Sequence, residues 1–68
     1  MNDDLFRTML KRYEADIEDA HYKINCITDH NMVIPEHVNI TGEIDKLLGK
    51  IEEAESKMAI LKRKYGIN

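Results

Sequence analysis

Two apolar stripes, each wound at the pitch of a coiled coil, constrain this chain more than any other feature. In the first half, apolar or small residues fall at Phe6, Leu10, Tyr13, Ile17, Ala20, Ile24 and Ile27, at steps alternating four and three. In the second half the same alternation runs through Ile40, Ile44, Leu47, Ile51, Ala54, Met58, Leu61 and Tyr65. A mean spacing of 3.5 residues keeps one narrow stripe of a helix turned toward a partner helix. The sequence therefore predicts an all-α fold with two helices.

The break between them is also written in the sequence. Pro35 has no amide proton, and it drives Ile34 out of the helical region. Asn2 or Asp3 suits the first N-cap, and the acids of that first turn suit the positive helix end. The first helix is predicted over about 3–29, a loop over about 30–40, and the second helix over about 41–65, with Asn39 or Thr41 as its cap. The β-branched run Val38, Ile40, Thr41 followed by Gly42 favours that later start over one at Pro35. At the far end, Lys62, Arg63 and Lys64 suit the negative helix terminus, Gly66 suits a left-handed cap, and Ile67 can fold back on the helix.

Two helices of similar length joined by about ten residues suit an antiparallel hairpin. The 68 residues form one domain. A helix pair spread over two chains is the other arrangement the stripes allow. Charge does not select a register: one trial alignment sets Asp16 favourably against Lys57 but also sets Lys23 against Lys50.

A chain of this size needs a staple or a neighbour. Cys26 is its only cysteine, so no internal disulfide can form. A single cysteine and an acidic start without a secretion signal point to a reducing, cytoplasmic compartment. No apolar run approaches the roughly 20 residues that span a bilayer. The sequon at Asn39 is then a chance match.

What remains is association. Leu5, Met9 and Ile60 lie off the stripes, and an antiparallel hairpin would gather them around Phe6, Met58, Leu61 and Tyr65 at its open end. That apolar face is wider than one helix contact needs, which implies a second neighbour. The loop adds Met32, Val33 and Ile34, with Val38, where loops are ordinarily polar. These residues either plug the hairpin or touch a partner. The partner is expected to be another protein or a second copy completing a four-helix bundle.

Chemistry finds little footing. Cys26, His30 and His37 could approach a metal, but their spacing matches no zinc motif, and no metal or other cofactor is predicted. Cys26 with His30 lacks an orienting group and an oxyanion hole. The acids at Glu14, Asp16, Glu18 and Asp19, and at Glu52, Glu53 and Glu55, read as solvated faces. The scattered glycines form no phosphate loop. A net charge of −3 argues against nucleic acid, although Arg7, Lys11, Arg12, Lys62, Arg63 and Lys64 would form a basic patch at the open end. The sequence thus predicts a non-catalytic interaction module with no small-molecule substrate and no membrane association. A self-associating assembly component is the alternative, and weak nucleic-acid binding through the basic end comes third.

Overall fold

The computed structural model describes residues 1–29 and 39–66. Among them are two helices, α1 (Asp3–Thr28) and α2 (Ile40–Tyr65), of 26 residues each. They pack side by side as an antiparallel hairpin, with overall dimensions of 48 × 17 × 15 Å. Each helix is about 39 Å long at 1.5 Å per residue, so helix length sets the long axis.

Both helices begin on an asparagine cap. Asn2 Oδ1 accepts from the Leu5 amide at 2.8 Å, and Asn39 Oδ1 accepts from the Gly42 amide at 3.0 Å. Each bond satisfies a donor that the first helical turn leaves without a partner. Gly42 has a local reason to lack a side chain. A Cβ there would come within 2.6 Å of the Asn39 amide nitrogen, so the glycine leaves room for the cap.

The C-terminal ends differ from each other. α1 stops at Asp29, whose amide donates to Asn25 O at 2.9 Å, and its last turn carries no cation. α2 ends with Lys62, Arg63 and Lys64 beside its exposed carbonyls. Gly66 does not adopt the left-handed conformation expected of a glycine cap: its φ is −70° and its ψ is 149°. Glycine is favoured there for another reason. The Gly66 amide donates to Lys62 O at 3.0 Å, and a Cβ built on that backbone would run into the same oxygen. The expectations for Ile67 and for Met32, Val33, Ile34 and Val38 lie outside the described residues.

The two stripes meet. Ala20 packs with Leu47 and Ile51, and Ile17, Ile24 and Ile27 close around them. Ala54 and Leu61 continue the buried line along α2. All seven stripe residues of α1 are buried or half-buried. The α2 stripe frays at its ends, where Ile40 and Tyr65 are exposed. Among the described residues, no large side chain is fully buried, because one helix can cover only one side of another.

Candidate functional site

With stripe positions labelled a and d in the heptad, the two flanks of the hairpin are the g positions on one side and the e positions on the other. The g flank is a charged groove. Arg12, Asp16, Asp19 and Lys23 of α1 line it opposite Lys50, Glu53 and Lys57 of α2, with Tyr13 and Ala54 at its floor. Both pairs of the trial alignment lie along this groove. The ion pairs do not follow that alignment. Lys57 Nζ sits 2.9 Å from Glu53 Oε1 and Lys23 Nζ sits 2.9 Å from Asp19 Oδ2, each within its own helix.

All the ion pairs among the described residues are of this local kind; Arg7 with Asp4 and Lys46 with Glu43 complete the set. Lys57 also stands over the Tyr13 ring. Hydrogen bonding and charge from Lys57 hold the Glu53 carboxyl below its ordinary range, and Glu53 in turn raises the Lys57 ammonium.

On the e flank, Ile17, Met58 and Ala59 form a shallow apolar groove edged by Glu55 and Lys62. Both grooves are open to solvent, and neither holds a buried titratable group. Among the described residues there is no cluster of three or more potential metal ligands. Cys26 is a half-buried free thiol, while His30 and His37 lie outside the described residues. The Cys26 thiol, one turn from Tyr22, raises the Tyr22 phenol above its ordinary pKa, chiefly by hydrogen bonding.

The residues expected at the open end separate into two groups. Leu61 is buried between the helices, and Phe6, Met9 and Met58 are half-buried, so much of their surface is used within the hairpin. Leu5, Ile60 and Tyr65 remain exposed at 47%, 45% and 51%. Tyr22 and Leu48, at outward and flanking positions, are exposed as well. Sequence reasoning passed over both. Their signal was a large apolar residue outside the a and d positions.

The fold also sorts charge in a way the linear sequence hides. Residues 1–13 and 57–66 form the open end, with the seven cations Arg7, Lys11, Arg12, Lys57, Lys62, Arg63 and Lys64 against Asp3 and Asp4. Next along the axis, residues 14–20 and 51–56 form a belt of seven acids with no cation. The remaining described residues balance at three acids and three cations. The basic patch expected from the sequence is thus gathered at one end. It circles that end rather than forming one face, since Arg7 and Lys62 lie on the e flank while Arg12 and Lys64 lie on the g side.

Searches of protein-family models, of curated proteins and of solved structures return no match for this chain. No described helix is long and apolar enough to cross a membrane.

Proposed function

We propose that this chain is a non-catalytic protein–protein interaction module: a small adaptor, inhibitor or regulator that docks its apolar helix faces on a larger protein complex. The observation that supports this is the apolar surface left uncovered when the hairpin closes. Among the described residues, seven large apolar side chains are 45–67% exposed. Leu5, Ile60 and Tyr65 give that surface a focus at the open end. The grooves are open to solvent, which suits contact with another protein better than capture of a substrate.

Capture from the native host with mass spectrometry tests the reading, provided a matched variant is run beside the parent. Leu5→Asp with Ile60→Asp is suitable because both side chains are exposed and the hairpin core is untouched. A protein captured by the parent and lost by the variant is the expected result. An identical set from both would remove the open end as the docking surface.

A second reading, self-association as an assembly component, is favoured by one specific observation: each copy carries both a cationic end and an acidic belt.

A further inference from the structure

On the g side of the hairpin, the apolar excess and the cations of the open end coincide. The c and g positions of α1 there are Leu5, Met9 and Arg12, and those of α2 are Lys64, Ile60 and Lys57. Leu5 and Ile60 are exposed, Met9 is half-buried, and no acid stands among the six. Leu5 to Arg12 and Lys57 to Lys64 each span seven residues, about 10 Å of helix at 1.5 Å per residue. The three apolar side chains therefore make a patch two turns long. Lys64 bounds it toward the open end, and Arg12 and Lys57 bound it on the inner side.

The bounding charges are answered unequally. Lys57 pairs with Glu53, and Arg12 has Asp16 one turn on. Lys64 has Ile60, Leu61, Ile67 and Asn68 at spacings of three and four, so its own helix offers it no acid. It makes no ion pair among the described residues.

We infer, resting on the reading that the open-end apolar surface is an interface, that this patch seats an acidic amphipathic helix of a partner protein as a third helix beside α1 and α2. The apolar stripe of that helix enters between Leu5, Met9 and Ile60 and supplies most of the affinity. A carboxylate at its outer end meets Lys64, and acids further along share Arg12 and Lys57 with Asp16 and Glu53. Exposed ion pairs of this kind add little affinity each, but they select the sign of the partner.

Other occupants fit less well. An anionic membrane laid on this flank would also meet Asp16, Asp19 and Glu53, which a short helix can stop short of. Nucleic acid would set phosphates against the apolar centre of the patch. A second copy docked through the same patch would set cation on cation.

The test uses a displayed library of helical peptides of about 18 residues, or five turns, with a fixed leucine stripe and flanking positions varied among Glu, Gln and Lys. The full chain is the bait, with Ile60→Asp, Lys64→Glu and Arg63→Glu beside it and helicity measured for each. The parent is expected to enrich Glu at the flanking positions. Ile60→Asp should weaken a selected peptide at least tenfold, as loss of a central apolar anchor does. Lys64→Glu should weaken it about fivefold at low salt and much less at high salt, because exposed charges are screened. Arg63→Glu makes the same charge change at an outward position and should leave affinity within about twofold, since net charge acts weakly through solvent.

Selected peptides that need Ile60 but are neutral or basic overturn the acidic partner and leave docking at the open end standing. A chain that selects nothing dependent on Ile60 removes both. Equal losses in Lys64→Glu and Arg63→Glu overturn the placement of the acid at Lys64. Binding of the parent to phosphatidylserine vesicles that Ile60→Asp abolishes gives the patch to a membrane instead. A dimer in sedimentation that Ile60→Asp abolishes gives it to a second copy.

Discussion

The Lys57 ammonium of α2 lies 5.9 Å from the centroid of the Tyr13 ring of α1, and among the described residues it is the one cation placed over an aromatic ring of the facing helix. Glu53, one turn back, holds it there through its 2.9 Å ion pair. The contact is exposed, so the attraction is screened and modest. Lys57→Gln and Glu53→Gln should each lower the thermal midpoint slightly. The double variant should lose less than the sum of the two, because both act on one three-residue unit. Strict additivity in circular-dichroism melts would show that Glu53 does not position Lys57.

The same pair sets a pH response. The Glu53 carboxyl is held below its unfolded value of 4.5, so its contribution is present above that pH and lost as pH falls through the lower folded value. The Lys57 ammonium is raised above 10.5, so its contribution is complete below that pH and lost as pH rises through the folded value. This pair therefore leaves the melting temperature flat across neutral pH, with small declines at the acidic and strongly alkaline extremes. In the Glu53→Gln variant the acidic decline should shrink, as measured by melts across pH.

Truncation within the buried line should be far more costly. Ile51 is 7% exposed and packs with Ala20 and Leu47. Ile51→Ala removes most of a buried side chain and should cost about 2–4 kcal/mol. In so small a core that is enough to abolish the cooperative transition. Enlarging Ala20, which is 1% exposed, should also destabilise, since Ala20→Leu would force the helices apart at a cost of about 1–3 kcal/mol. Ellipticity and urea melts measure both.

The glycines separate by what surrounds them. Gly49 has nothing within 4 Å of an added Cβ, so Gly49→Ala should stabilise the hairpin by about 1 kcal/mol through helix propensity alone. Gly42→Ala gains the same propensity but disturbs the Asn39 cap, typically worth about 1 kcal/mol, and should come out near neutral. A Gly49→Ala change that stabilises the lone hairpin yet weakens its association would show that another backbone approaches at this position.

Tyr22 offers a spectroscopic check. Its phenol is raised above 10.0, chiefly by hydrogen bonding with the Cys26 thiol. Cys26→Ala should bring the last tyrosinate step in the absorbance titration to lower pH. No movement would show that the two side chains do not interact.

Much of the fold was legible in the residues. The four-three alternation located every stripe residue of α1, and Asn2 and Asn39 were each one of two cap candidates, suited because an asparagine side chain satisfies amides that a helix cannot. The Gly66 conformation was not legible, since glycine serves a left-handed turn and a close backbone approach equally well. The division of the open-end cluster was also hidden. Leu61 and Ile60 are adjacent in sequence and similar in character, and only the packing turns one inward and leaves the other exposed. The sorting of charge along the axis was hidden too, because an antiparallel pair joins residues 1–13 to residues 57–66 and separates both from the acids between them.

Because the ion pairs among the described residues stay within single helices, no salt bridge among them fixes the position of α1 along α2. Side-chain volume is left to hold the alignment. A slip of one heptad would set Ala20 beside Ala54 and Met58, opening a hollow. It would also press Ile27 into the place Ala20 now fills against Leu47 and Ile51. The smallest residue of the α1 stripe thus acts as the notch that keeps the two rods in step.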